Sequence, residues 1–385
     1  MASSARSLRV AMVATPAFPS IGGIETHINE VAPRLAAAGV DVTVLTTDPG
    51  WRWPTSDLVA GAQLRPFRAW PAKTDYSLAP GIYRAIKQGE WDLVHCQGYY
   101  TFTAPLAMRA AAAAGIPCIV TLHSGGQSSP FRNLIMRFQW KALRPQLARA
   151  ERLVAVSGFE AEFFADRLRL PRDRFAVIPN GSNLPNVSPA RPSEAGPLIV
   201  SVGRLERYKG HHRVLAAFPR VLERFPKARL RIAGSGPEAH RLLRTADALG
   251  IADRVAVEPV PSSDREGMAS LLSQAALVVL LSEYESQSIA VHEALTLGRP
   301  VLVAYTSALR ELADRSLAAA VPPDATADEI AAALIRQLKE PRIAATFQLP
   351  TWDDCASALF AVYQEIARTH VKDQRMTTDT YRPAT

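Results

Sequence analysis

Short apolar runs alternate with helical stretches from one end of this chain to the other, and the alternation stops once and then restarts. Runs this short, rich in Val, Ile, Leu and Ala, read as strands buried on both faces of a parallel sheet. In the first half they are Leu8–Ala14, Val40–Leu45, Leu93–His95, Cys118–Leu122, Arg152–Val156 and Ala176–Ile178. Helices are expected at Glu25–Ala38, Tyr83–Gly89, Thr103–Ala114 and Phe131–Ala150. Residues 183–197 lose all periodicity and are rich in proline and small polar residues, the composition of a linker. Strands then resume at Leu198–Val202, Arg229–Ala233, Val255–Val257, Leu277–Leu281 and Val301–Val303. The helices between them are His211–Arg224, Pro237–Leu249, Asp264–Gln274 and Gln287–Leu297. This predicts an α/β fold of two parallel-sheet domains, residues 1–185 and 186–350, with a cleft between them. A last helix, Trp352–Ala367 within residues 351–370, is expected to pack back on the first domain, and residues 371–385 read as a frayed tail.

At 385 residues the chain is too long for one ordinary core, which agrees with two domains. Three cysteines (Cys96, Cys118 and Cys355) make no disulfide framework and have no metal-ligand spacing. They fit a reducing cytoplasm. No uncharged stretch approaches the ~20 residues of a spanning helix. The net charge of +8 is uneven: residues 1–185 hold 20 Lys and Arg against 13 Asp and Glu. That suits an anionic partner such as a phosphate-bearing substrate or an anionic lipid surface. Nucleic acid is not expected, since no zinc-finger, RNP-type or basic-zipper pattern occurs.

Three segments carry chemistry. Glu285 and Glu293 stand eight residues apart just after the strand Leu277–Leu281. The first falls in the strand-to-helix loop and the second about two turns along the helix, near the same face. Carboxylates accept paired hydrogen bonds from vicinal hydroxyls, as a sugar presents them. The N–H groups of Ser286, Gln287 and Ser288 lie at the expected helix start, where orphan donors favour an anion. The same two glutamates also read as a helix-entry acid and a satisfied interior acid. In the segment Val202 to Gly210, Arg204 and Lys209 offer a planar fork and a point charge at a strand's carboxyl end, a combination suited to a diphosphate. A solvated basic loop is the alternative. Gly22 and Gly23 open the first helix and would let a ligand approach the backbone, or simply make a turn.

Taken together, these segments resemble the retaining glycosyltransferases of the GT-B fold, glycosyltransferase family 4. The resemblance runs from about Leu8 to Tyr363. It rests on Gly22-Gly23-Ile24-Glu25, His123, Val177 to Gly181, Gly203-Arg204 with Lys209-Gly210, Ala233 to Glu238, and the Glu285 and Glu293 pair. It implies two Rossmann-like domains facing each other, the first on the acceptor side and the second on the nucleotide-sugar donor side. Arg204 and Lys209 match the pair that grips the donor diphosphate, Glu293 the carboxylate on the ribose hydroxyls, and Glu285 the one near the donor sugar. His123 matches a histidine facing the transferred sugar, although a satisfied strand-end histidine is an equal reading of the sequence. The amides of Ser286, Gln287 and Ser288 would meet the sugar or its phosphate, and Gly22 and Gly23 the phosphates from the opposite domain. The family's acidic motif more often has Gly-Phe-Gly where this chain has Ser286-Gln287-Ser288, which leaves donor identity open.

The activity implied is transfer of a sugar from a nucleotide-diphosphate sugar, a UDP-sugar in first place, to an acceptor hydroxyl. The resemblance implies retention at the anomeric carbon, with no metal ion and no cofactor beyond the donor. The acceptor is expected to be a saccharide or a lipid-linked one, in cell-surface polysaccharide or glycolipid assembly. GDP-mannose as donor, a small soluble acceptor, and a non-catalytic nucleotide-sugar-binding protein are the rivals. A nicotinamide oxidoreductase is disfavoured, since Gly234-Ser235-Gly236 is only a fragment of the dinucleotide turn. The 131–150 helix places Arg137, Lys141 and Arg144 at i, i+4, i+7, with Leu134, Ile135, Phe138 and Ala142 on another side. That pattern fits either a solvated basic face or contact with an anionic membrane from the cytoplasmic side.

Overall fold

A computed structural model of the protein describes residues 6–15, 23–48, 58–59, 61–71, 77–99, 101–124, 130–182, 184–185, 187, 196–261, 263–344 and 350–379. The first sheet contains β1 (Arg9–Ala14), β2 (Asp41–Asp48), β3 (Leu58–Val59), β4 (Ala62–Arg68), β5 (Leu93–Gln97), β6 (Cys118–Thr121), β7 (Arg152–Ala155) and β8 (Phe175–Val177). Their order is β3-β4-β2-β1-β5-β6-β7-β8, parallel throughout except for the β3–β4 hairpin. Helices α1 (Gly23–Ala37), α2 (Pro80–Gln88), α3 (Thr103–Ala114), α4 (Pro130–Leu147) and α5 (Gly158–Leu168) connect these strands.

The second sheet contains β9 (Leu198–Val202), β10 (Arg229–Ala233), β11 (Val255–Glu258), β12 (Leu277–Leu280), β13 (Val301–Ala304) and β14 (Ala319–Val321). Its order is β11-β10-β9-β12-β13-β14, all parallel. Its helices are α6 (His211–Arg224), α7 (Ala239–Ala248), α8 (Arg265–Gln274), α9 (Ile289–Thr296), α10 (Ser307–Asp314) and α11 (Ala327–Lys339). Each sheet has one apolar cluster on either face, as strands buried on both sides require.

The last helix, α12 (Trp352–Asp379), belongs to the first domain's core. Trp352, Cys355, Leu359, Tyr363 and Ile366 are buried among α1 and the first sheet. Their spacing keeps them on one helical stripe. The helix continues past the expected end at Ala367 because no glycine or proline interrupts it before Pro383. Helix α4 ends at Leu147 rather than Ala150. It turns Trp140, Leu143 and Leu147 inward and leaves Phe138, Lys141 and Ala142 exposed. Arg144 donates to the Leu168 carbonyl at 2.6 Å, which ties one of the basic residues to the end of α5. The side chains of Leu134, Ile135 and Arg137 lie outside the described residues, as does most of the 183–197 linker. The three cysteines are free and buried. Among the described residues no helix is long and apolar enough to cross a membrane.

Leu359 is fully buried in the cluster that joins α12 to the first sheet. Replacing it by alanine should lower the unfolding free energy by about 2–5 kcal/mol in urea titrations. A loss under ~1 kcal/mol would show that α12 is not part of this core.

Candidate active site

Each sheet reverses its strand order once, between β1 and β5 in the first and between β9 and β12 in the second. Loops leaving the strands on either side of such a reversal diverge and open a crevice at the carboxyl edge. In the second domain, the β9 loop carries Arg204, Tyr208 and Lys209, and the β12 loop carries Ser282 and Glu285. Gly210 lets these loops touch. Its φ is +75°, and a Cβ there would stand 2.1 Å from the Leu281 carbonyl oxygen. No other residue fits that approach.

The result is a buried ion pair. Lys209 Nζ lies 2.6 Å from Glu285 Oε1, with side-chain exposures of 14% and 7%. Ser282 Oγ donates to the same oxygen at 2.7 Å, and the Glu285 N–H donates to Ser307 Oγ at 2.8 Å. Burial works against the Lys209 charge, but Glu285 and Tyr208 more than offset it, and the ammonium is held above its ordinary pKa. Arg204 donates to the Tyr208 hydroxyl at 2.9 Å, while Lys209 Nζ sits 5.3 Å from the same ring's centre. Two cations and a carboxylate therefore share one end of the crevice. They can neutralise phosphate oxygens and accept bonds from hydroxyls.

Glu293 lies on α9, buried, and pairs with Arg265 at the start of α8. Burial pushes its carboxyl up, with Arg265 pulling the other way. Helix α9 begins at Ile289 and not at Gln287, because Ser288 takes the N-cap position and accepts from the Val291 N–H. Ser286 and Gln287 therefore precede the helix, so the expected placement of their amides at its start is corrected by two residues. The Gln287 side chain is committed elsewhere. Its Oε1 accepts from the Asn180 N–H at 2.7 Å, and its Nε2 donates to the Asn180 carbonyl at 3.0 Å. Both polar atoms of one amide thus clasp a single residue of the first domain.

On the first domain, His123 lies after β6 with His27 and His95 packed close behind it, all held neutral by burial. His123 follows β6 with φ +45°, a strained conformation for a non-glycine residue, and Nε2 lies 2.8 Å from Gln97 Oε1. The His27 ring stands edge-on to it, with centroids 4.7 Å apart, and His27 Nδ1 is 2.7 Å from Asn180 Oδ1. His95 is held by the Tyr363 hydroxyl at 2.5 Å and Thr121 Oγ1 at 2.7 Å. Burial lowers the pKa of His27 to about 4 against the pull of its Asn180 bond. Burial, with His27 adding, lowers that of His95 to about 3. Burial, with His27 and His95 adding, holds His123 well below its ordinary value. Gly23 opens α1 in the same domain, and a Cβ there would meet nothing within 4 Å. Gly22 lies outside the described residues.

Of the residues singled out in the sequence, Arg204, Lys209 and Glu285 come together, Glu293 goes to Arg265, and His123 stands on the other domain. Sequence reasoning missed His27, Asn180, Ser124, Glu160 and Tyr284. Ser124 Oγ lies 2.7 Å from the Tyr284 hydroxyl across the cleft. Two of these had a local signal: His27 lies one helical turn after Gly23, and Asn180 falls within the Val177 to Gly181 segment. Among the described residues no group of three or more His, Cys, Asp or Glu could hold a metal ion.

Comparison with known proteins bears on this geometry. Residues 21–184 match Glycosyltransferase Family 4, and residues 187–348 match Glycosyl transferases group 1. A GDP-mannose:cellobiosyl-diphosphopolyprenol alpha-mannosyltransferase of Xanthomonas oryzae is 30% identical over 306 residues, covering 76% of this chain and 77% of that one. A D-inositol 3-phosphate glycosyltransferase of Nocardiopsis dassonvillei is 28% identical, covering 87% and 86%. Among solved structures, Anabaena Alr3699/HepE in complex with UDP and glucose superposes with a TM-score of 0.67 at 18% identity, over 97% of this chain and 100% of that one. That likeness shows the fold, which is GT-B.

The buried histidines make stability depend on pH. Their folded pKa values are depressed, so they contribute stability above the unfolded value near 6.5 and lose it as pH falls toward about 4 for His27. Unfolding free energy should drop between pH 6.5 and 5, with each such histidine adding a slope of up to about 1.4 kcal/mol per pH unit. His27→Gln should remove one proton's worth of that slope in urea titrations at several pH values. An unchanged slope would mean that His27 titrates normally in the folded chain.

Proposed function

The chain belongs to glycosyltransferase family 4, and we propose that it moves a sugar from a nucleotide-diphosphate sugar to an acceptor hydroxyl with retention at the anomeric carbon. The observation that carries this reading is the Lys209–Glu285 pair beside Arg204, at the strand-order reversal of the second sheet. When the bond from the anomeric carbon to the diphosphate breaks, negative charge gathers on the leaving oxygen and positive charge on the sugar. Arg204 and Lys209 stabilise the former from fixed positions that need no reorganisation, and this chemistry requires no metal ion. Glu285 accepts hydroxyls of the donor sugar and Glu293 those of the ribose. The main-chain amides of Ser286, Gln287 and Ser288 meet sugar or phosphate from one side, and Gly22 and Gly23 meet phosphate from the other. His123 faces the sugar being transferred. The leaving phosphate takes the acceptor proton, so the new bond forms on the face the old one left.

A UDP-sugar is the favoured donor, in keeping with the UDP and glucose bound by the Anabaena neighbour. GDP-mannose is the second reading, favoured by the name of the Xanthomonas relative. A lipid-linked or saccharide acceptor agrees with that same name, and the outward side of α4 supports contact with an anionic lipid surface. Phe138 is 66% exposed there, near Lys141.

Thermal-shift measurements with UDP, GDP and their sugars should show stabilisation by one base over the other, since binding to the folded state raises its midpoint by mass action. The sugar of the preferred base should release nucleoside diphosphate. Lys209→Ala should cut that turnover by about 10²-fold. Near-normal turnover would remove Lys209 from the diphosphate, and binding without any release would favour a non-catalytic binder. A covalent sugar trapped on Glu285 would exclude the same-face route.

Vesicles containing phosphatidylglycerol should bind the protein at low salt and release it as salt screens the basic face. Phe138→Ser should weaken the binding. No binding at low salt would take the membrane out of the account.

A further inference from the structure

The residue after His123 and the residue before Glu285 are hydrogen-bonded to each other across the cleft. Ser124 Oγ lies 2.7 Å from the Tyr284 hydroxyl. Ser124 is held from behind by Glu160, a fully buried carboxylate on the first turn of α5. Its N–H donates to Glu160 Oε1 at 2.7 Å, and its Oγ donates to the same oxygen. Glu160 Oε2 takes the Val156 N–H at 2.8 Å. Because the Ser124 proton is committed to the carboxylate, the Tyr284 hydroxyl is the donor between the domains. The Tyr284 ring packs against Phe159 and Phe163, with centroids 5.8 and 6.1 Å away. Glu311 on α10 accepts from the Phe159 N–H, so the first turn of α5 receives two contacts from the second domain.

We propose that Ser124 and Tyr284 are positioning residues for the transfer, and that their hydrogen bond sets His123 and Glu285 opposite each other when the walls meet. This rests on the glycosyltransferase reading of the site. Both flanking groups are one residue from the bond, so its loss frees the two segments that carry them to shift against each other. Displacements of ~1 Å at a reacting centre slow chemistry far more than they weaken binding. A closed wall also keeps water from the activated sugar.

Tyr284→Phe removes one hydroxyl and keeps the ring packing. Steady-state kinetics with UDP-glucose and GDP-mannose, whichever turns over, should show kcat about tenfold lower, the worth of one such bond. Donor KM should stay within about twofold, and the share of donor hydrolysed rather than transferred should rise. Ser124→Ala should do the same, the double variant should be no worse than either single one, and Ser124→Thr should recover most of the rate. An unchanged kcat and hydrolysis share in Tyr284→Phe would overturn the proposal, as would losses that multiply in the double variant. If the unaltered protein releases no nucleoside diphosphate from any UDP- or GDP-sugar that stabilises it, the glycosyltransferase reading fails and takes this role with it. Turnover with Tyr284→Phe equal to the parent removes only the positioning role.

Discussion

Parallel strands require crossovers, and a crossover can pass over either face of its sheet. Where the chain changes direction, beside β1 in one domain and β9 in the other, the helices diverge and leave an uncovered notch at the carboxyl edge. The charged and strained groups described above gather at these edges: Lys209, Glu285 and Arg204 in the second domain, and His123 with its positive φ in the first. Where the chain leaves the first domain and where it returns to it, Ser182 N–H donates to the Pro350 carbonyl at 3.1 Å, so the two junctions meet at one neck. A Cβ on Gly181 would come within 2.2 Å of the Trp352 nitrogen.

The two walls differ in charge. The second-domain wall carries a buried ion pair, and such pairs add little to stability once desolvation is counted. On the proposed function, it places a cation and a hydroxyl acceptor in fixed positions before any ligand arrives. The first-domain wall keeps its histidines neutral through burial. A neutral imidazole can accept or donate to a hydroxyl without adding a charge that would compete for the diphosphate. On the proposed function, this difference assigns charge compensation to one side and sugar contact to the other.

Much of the fold was legible because strands buried on both faces read as continuous apolar runs. Strand β4 escaped because its sequence alternates apolar residues with Gln63 and Arg65 and contains Pro66. It lies toward the edge of the sheet, where proline and polar residues are tolerated. The site was legible only where its residues follow strands closely, as with Lys209 and Glu285. What escaped was the set of contacts that join distant segments. Ser124 and Tyr284 are 160 residues apart, His27 and Asn180 are 153 apart, and Asn180 and Gln287 are 107 apart. No local spacing encodes such pairs. They exist only once two independent sheets have been brought face to face.

The substitution of Ser286-Gln287-Ser288 for a more glycine-rich loop gains a structural reason from those contacts. Glycines would leave the loop free to adapt around a ligand. Here Ser288 caps α9, and Gln287 is clasped to Asn180, the residue before Gly181 at the neck. Asn180 in turn holds His27 on the opposite wall. The loop that follows Glu285 is thus tied to Asn180 beside this neck, and through it to His27 on the first domain. Two hydrogen bonds from one glutamine side chain therefore join the acidic loop of one domain to the histidine cluster of the other, a connection that a glycine-rich loop could not make.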